Sequence, residues 1–209
     1  RQVAAQFVMV LDVFNLLELK QVTILFGLLF TAIACIIMGS GVPTTPTYII
    51  LAAIVAPALA GLGVPQLATH FFVFYYGVLA DVTPPVALAA FAAAGIARSE
   101  PMGTGFTAFR LSMGKALVPF AFVYSPALLF IDFTWSSFLL ASTCAIVAVM
   151  GLGAAYTGFV ARPIRGPSFW LLNVLSISLV FANPVAASVA IPGVLFILLW
   201  HNKPLPGTT

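Results

Sequence analysis

The apolar positions of this chain run on without the regular polar positions that a water-facing helix or strand needs. Val22–Met38 and Tyr48–Leu62 carry no charge, and Gln66–Ala97 carries only Asp81. Ala116–Ile131, Phe133–Ala161 and Gly166–Trp200 are also free of charge. A helix crosses the hydrocarbon of a bilayer in about 20 apolar residues, rising about 1.5 Å per residue. Phe133–Ala161 meets that length easily, and Ala116–Ile131 meets it by extending to Trp135 with Asp132 at the interface. The pattern predicts an all-α polytopic membrane protein.

Two runs do not fit simple crossings. Gly39-Ser40-Gly41-Val42-Pro43-Thr44-Thr45-Pro46-Thr47 separates the first pair. Proline removes backbone donors and glycine loosens the chain, so this stretch is expected to be non-helical. Irregular backbone at membrane depth survives only where it is buried in protein or lines a cavity. Residues 22–63 therefore read as a re-entrant helical hairpin with its tip inside the membrane. Length alone also allows two ordinary crossings joined by a surface loop. Gln66–Ala97 would be roughly 48 Å long as one helix, too long for a straight span. It is interrupted at Asp81-Val82-Thr83-Pro84-Pro85, which predicts a discontinuous helix with halves Gln66–Ala80 and Val86–Ala97. Gly166–Trp200 is broken at Asn183-Pro184 and again at Pro192, and reads as two tight crossings.

Amphipathic stretches flank these runs. Phe7, Val10, Leu11, Phe14 and Leu17 recur at helical spacing within 1–21, as do Met102, Phe106, Phe109 and Met113 within 98–116. Both read as interfacial helices, although such stripes also cover ordinary cores. The expected organisation is an interfacial helix over 1–21 and a core unit over 22–97 (hairpin 22–63, broken helix 66–97). A cytoplasmic connector over 98–116, two membrane helices over 117–161 and a C-terminal membrane region over 162–209 follow. Three or four further membrane helices thus come after the broken one.

Composition agrees. Of 209 residues, 62% are hydrophobic and 6% charged, and the mean hydropathy is +1.16. Soluble domains carry about 25% charged residues. That excludes a soluble enzyme and a disordered chain. The net charge of +3 and pI near 9.1 come from eight Lys and Arg, too few and too scattered for a nucleic-acid stripe. They act instead as orientation charges. With the hairpin entering and leaving on one face, Arg98, Arg110, Lys115, Arg162 and Arg165 share the opposite face, which is cytoplasmic by the positive-inside rule. The hairpin then opens from the outer side. Cys35 and Cys144 lie in apolar runs and read as small buried side chains.

The two interruptions are the candidate site. Unwound carbonyls and half-helix C-terminal ends suit a hard cation such as Na⁺, while half-helix N-termini near Tyr48 and Val86 suit an anion. Thr44, Thr45, Thr47 and Thr83 add hydroxyls. Paired Gly/Pro-interrupted apolar segments point to a transporter site; simple helix kinks are the plainer alternative. Asp81 is the one acid deep in an apolar run. Such a carboxylate can hold a cation, relay a proton or pair with a partner chain; it can equally cap the adjoining helix start. His70 reads as a helix-packing hydrogen bond, and Gly27, Gly151, Gly153 and Gly158 as close helix contacts. Enzyme signatures fail: Gly114-Lys115 is followed by Ala116 and opens no phosphate loop. Ser40, with His70 elsewhere, supplies no paired nucleophile geometry for an intramembrane hydrolase.

Four strings together resemble a known family: Gly39 through Tyr48, Ala68-Thr69-His70-Phe71-Phe72-Val73-Phe74-Tyr75, Asp81-Val82-Thr83-Pro84-Pro85-Val86-Ala87-Leu88-Ala89-Ala90, and Gly105-Phe106-Thr107-Ala108-Phe109-Arg110. They are similar to the large permease subunit of tripartite ATP-independent periplasmic (TRAP) transporters, nearest the fused permeases of the TAXI subgroup, over about Val22–Leu129. The resemblance implies uptake of an organic acid across the bacterial inner membrane, driven by an ion gradient, usually Na⁺ (H⁺ being the other candidate). A periplasmic binding protein delivers the solute. It implies an elevator-type fold of two inverted repeats, of which this chain holds the second. By that analogy the backbone of Gly39, Ser40, Gly41, Val42, Pro43, Thr83, Pro84 and Pro85 holds the cation. Thr44, Thr45 and Thr83 line the substrate side, and Asp81 adjoins them. The earlier inverted repeat and a small-subunit region are missing from the pattern, so the chain reads as a C-terminal portion whose remainder lies in the same or another chain. A structural or channel-like membrane subunit without coupled transport is the alternative.

Overall fold

The computed structural model describes residues 20–202, and the amphipathic stretch expected over 1–21 lies almost wholly outside them. The named elements among the described residues are all helical, and the one β-pairing there is an isolated bridge between Phe159 and Pro163. The chain divides into two compact units, residues 1–108 and 109–209.

The first unit is built on α1 (Lys20–Gly39), α2 (Thr44–Gly61), α3 (Gln66–Ala80) and α4 (Leu88–Ala97), and ends within α5 (Pro101–Ser112). α1 and α2 form the arms of a hairpin, and both pack along α3. Leu28 and Cys35 of α1, Leu51 and Leu59 of α2, and Phe72 and Val73 of α3 fill the interior. The opposite faces, with Phe30, Ile33, Ile37, Ile49 and Phe74, are exposed and apolar, as lipid-facing surfaces are.

The hairpin tip is tighter than the sequence suggests. Only Ser40–Pro43 lie outside helix; Thr44, Thr45 and Thr47, expected in the loop, form the first turn of α2. The reason is positional. Pro46 occupies a first-turn place whose N–H would have no partner within the helix, so proline costs nothing there. The half-helix start expected near Tyr48 is accordingly at Thr44, and the one expected at Val86 is at Leu88. Gly39 is where α1 crosses α3. A Cβ placed there would lie 2.6 Å from the Ala80 Cβ and 3.3 Å from the Gly77 carbonyl. Only the glycine lets the two backbones approach so closely.

The second unit contains α6 (Val118–Tyr124), α7 (Trp135–Thr157), α8 (Pro167–Ser178) and α9 (Pro184–His201). Cys144, Val147 and Ala148 of α7, Leu172 of α8, and Ala187, Ala190 and Val194 of α9 share its core. Thr134 caps α7 by accepting from the Ser137 amide, and Asn183 caps α9 by accepting from the Val185 amide. Gly151 sits against Ser176 and Val194 as a close contact requires, and Gly114 against the backbone of Val149 and Gly153, whereas a Cβ on Gly153 itself would meet nothing within 4 Å. Gly158 ends α7 in the left-handed region at φ 75°.

Two expectations fail here. Ala116–Ile131 is not one crossing helix. It is a 3₁₀ turn at Gly114–Leu117, the seven-residue α6, and a second 3₁₀ turn at Pro126–Leu129. Pro126 removes a donor and forces Ser125 out of helical geometry, while Phe130 and Asp132 adopt positive φ. Within 117–161, therefore, only α7 has membrane length. Conversely, Pro192 does not break the last run; it sits inside α9, and the break is at Asn183-Pro184 alone. Among the described residues, α1, α2, α7 and α9 are long and apolar enough to cross a bilayer.

The Gly39 contact yields a test. Gly39→Ala should destabilise the full transporter by about 1–3 kcal/mol, the range for overpacking. Ala80→Gly in the same chain should recover part of that loss. Thermal unfolding of the detergent-purified protein would show it; an unshifted midpoint for the single variant would mean that the helices do not meet at Gly39.

Candidate functional site: the hairpin tip and the broken helix

α3 stops at Ala80 because the chain tightens and then meets two prolines. The amides of Asp81, Val82 and Thr83 donate to the carbonyls of Val78, Leu79 and Ala80, each a three-residue step instead of a four-residue one. The Thr83 hydroxyl donates to the Leu79 carbonyl at 2.8 Å, anchoring the step to the helix it leaves. The Pro84–Pro85 bond is cis, and Ala87 enters α4 with φ 39°.

The carbonyls of this step are not all open, as the sequence suggested. The Ala87 amide donates to Thr83 at 3.1 Å and the Ala89 amide to Asp81 at 3.0 Å. Each of those carbonyls keeps one lone pair for another partner. At the tip, the Ser40 amide and hydroxyl both donate to the Ile36 carbonyl, and the Thr47 hydroxyl donates to Val42 at 3.3 Å. Self-bonding of this kind holds both irregular segments in shape before any ligand binds.

Tip and step are brought together. The Thr44 hydroxyl donates to the Asp81 carboxylate at 3.1 Å, 37 positions along the chain. The Thr44 methyl faces Gly77, and Gly39 lies on Ala80, so α3 ends against the tip. Of the substrate-side candidates, Thr44 and Asp81 are thus joined. Thr45 is exposed beside them, and Thr83 is buried with its hydroxyl bonded back to α3. Gly41, Val42 and Pro43 are exposed, Gly39 is buried, and Pro84 packs towards Gly105.

Sequence reasoning missed several partners. Tyr48 and His70 share a hydrogen bond at 3.0 Å, which joins α2 to α3, and Phe74 stands edge-on to the same tyrosine. The lone imidazole between two apolar runs was a signal; its partner was not visible in one dimension. Nor was the Gly39–Ala80 approach, although Gly77 and Ala80 are small residues spaced along one face of α3. The hydroxyls of Thr31 and Thr69 are buried without a hydrogen-bond partner in α1 and α3.

Comparison with known families decides what this pair of breaks belongs to. The family described as "Tripartite ATP-independent periplasmic transporter, DctM component" matches residues 6–136. The chain belongs to the DctM family. No curated protein and no solved structure matches it. The DctM match covers the hairpin, the broken helix and the connector, the segments that carry the site. It makes this chain a component of a TRAP transporter and a multi-pass membrane protein.

In this DctM component the breaks present oxygen donors: hydroxyls, carbonyls that keep a lone pair and one carboxylate. No cluster of three His, Cys, Asp or Glu occurs among the described residues, and oxygen donors of this kind suit hard cations better than soft transition metals. The Thr44–Asp81 contact can be tested directly. A double-mutant cycle with Thr44→Val and Asp81→Asn, read by thermal stability, should give a coupling of about 1.5–3 kcal/mol, as expected for a hydrogen bond to a carboxylate. Strictly additive effects would mean that the two side chains do not bond.

Proposed function

We propose that this DctM component forms the second, outward-opening half of the transport site in a TAXI-type fused TRAP permease. The rest of the permease, comprising the inverted first repeat and the small-subunit region, completes that site. The cargo is a small organic anion, brought to the bacterial inner membrane by a periplasmic solute-binding protein and carried inward by an ion gradient, with Na⁺ as the coupling ion. The observation that carries this reading is the Thr44–Asp81 hydrogen bond, which fastens a hairpin tip to the break of a discontinuous helix. Paired interruptions of this kind are how transporters place bare backbone and helix ends around cargo at mid-membrane.

In this proposal the remaining lone pairs of the Asp81 and Thr83 carbonyls, together with tip backbone over 39–43 and 84–85, coordinate the ion. α2 begins at Thr44 and α4 at Leu88, so their amide ends favour the anion's carboxylate. Thr44 and Thr45 supply hydroxyls on that side. Ion and anion then neutralise one another, which lowers the cost of carrying either through a low-dielectric interior. The moving element is the transport domain over 22–97, which slides as an elevator while the tip and the step stay together.

Uptake by the full transporter in proteoliposomes, with its binding protein, should collapse when the Na⁺ gradient is removed. Uptake that persists without Na⁺ but needs a pH gradient would transfer the coupling role to a proton at Asp81. An unsaturable single-channel current would overturn coupled transport altogether. Thr83→Ala removes the hydroxyl that anchors the step to Leu79 and so loosens the Thr83 carbonyl, which should raise the Na⁺ concentration for half-maximal uptake by about tenfold, equivalent to roughly 1.4 kcal/mol. Thr83→Ser should stay close to the parent, and an unaltered Na⁺ response in Thr83→Ala would remove this residue from the site.

A further inference from the structure

The second unit carries its charges at its ends, and one end has the form of a lipid site. α7 begins beside Asp132 and Trp135 and finishes at Thr157, next to a loop that holds Arg162 and Arg165. The Arg110 guanidinium donates to the Tyr156 carbonyl at 3.2 Å, so it covers the negative end of α7. The Ala161 amide donates to the His201 carbonyl, which ties the arginine loop to the last residue of α9. Trp170 and Trp200 stand exposed at this same end, at 69% and 56%. Exposed tryptophans beside arginines mark the level of the lipid headgroups.

A groove opens directly beneath that loop. It has a volume of about 360 Å³ and lies between α7 and α9. Met150 and Ala154 form one wall, Leu195, Leu198 and Leu199 the other, and Val160 and Asn202 its mouth. Every wall residue is apolar, so the groove accepts a hydrocarbon chain and rejects a polar cargo. Its mouth lies beside Ala161 and His201, where two arginines follow in the loop and no acid of the second unit is near in sequence.

We propose that this end of the second unit binds one anionic phospholipid, with an acyl chain in the α7–α9 groove and the phosphate against Arg162 and Arg165. Charge selects the occupant: an apolar slot alone accepts any lipid, and a loop carrying two arginines beside its mouth favours a negative headgroup over a zwitterionic one. Basic pockets between membrane helices on the cytoplasmic side recognise headgroups in this way. The proposal makes no use of the transport reading and stands or falls separately from it.

The three tryptophans provide the assay. In a Trp135→Phe background of the full transporter, only Trp170 and Trp200 of this chain report, and both lie at the groove end. The protein is reconstituted in phosphatidylcholine vesicles containing 20 mol% brominated phosphatidylglycerol, or the same amount of brominated phosphatidylcholine. The fluorescence of this chain is taken by difference from a variant lacking all three tryptophans. The brominated anionic lipid should quench with an apparent affinity several-fold higher, since each arginine near the surface contributes roughly fivefold. Arg162→Gln with Arg165→Gln should abolish that preference while leaving quenching by brominated phosphatidylcholine unchanged. Equal quenching by the two lipids, or a preference that survives the double substitution, would overturn the proposal. So would protection from both lipids, which would mean that a neighbouring protein subunit covers the groove.

Discussion

Everything in the first unit depends on one constraint: backbone that leaves helical geometry must find new partners for its polar groups wherever water does not reach it. The hairpin tip and the step in the broken helix meet that constraint in the same way. Each bonds its own amides and hydroxyls to carbonyls nearby, as Ser40 does to Ile36 and Thr83 to Leu79. Each is then braced by the other, through the bond from Thr44 to Asp81 and the close approach at Gly39. The carboxylate is central to this. A charged group in such a setting is costly unless it is bonded, and a threonine hydroxyl donates to it without adding a second charge. The pair therefore holds the two breaks together.

Much of this was legible in the sequence, and the reason is chemical. Charge-free runs broken by Gly and Pro mark where helices stop, since those residues act through the backbone wherever they occur. Hence the break after Ala80 lies where the sequence placed it, to the residue. What was not legible depends on position within a helix or on a neighbour far along the chain. Pro46 looked like a breaker and is a first-turn residue of α2, because proline is disruptive only where an N–H is needed. Pro192 looked like a breaker and lies within α9, while Pro126, behind an extended Ser125, divides a run that looked continuous. Thr44 and Asp81 were both singled out as site residues, but the bond between them is a tertiary fact.

The two units use polar chemistry differently. In the first, polar side chains lie within the helical packing: Thr23, Thr31, Thr47, Thr69 and Thr83 are all buried. In the second, the charged residues are pushed to the ends of α7, with Asp132 before it and Arg162 and Arg165 after it. The core between them is Cys144, Val147, Leu172 and Val194. Internal hydroxyls at helix contacts can be satisfied by the backbone carbonyl one turn back, as that of Thr83 is by Leu79. Terminal charges with an apolar centre suit a unit that must keep its depth in the membrane, because moving an arginine off the interface costs several kcal/mol.

The hairpin tip carries the argument one step further. Gly41, Val42 and Pro43 are exposed, as is Thr45, although the backbone around them is irregular. If both arms of the hairpin lie in the bilayer with the tip at mid-depth, lipid cannot be what covers those groups, since an unsatisfied peptide group in hydrocarbon costs several kcal/mol. Either water or further protein must meet them. Water at that depth means a cavity, and further protein means a complementary half. The exposure of the tip is thus a consequence of the same constraint that fixes its shape. The internal bonds from Ser40 and Thr47 satisfy part of the backbone and leave the remainder for whatever enters.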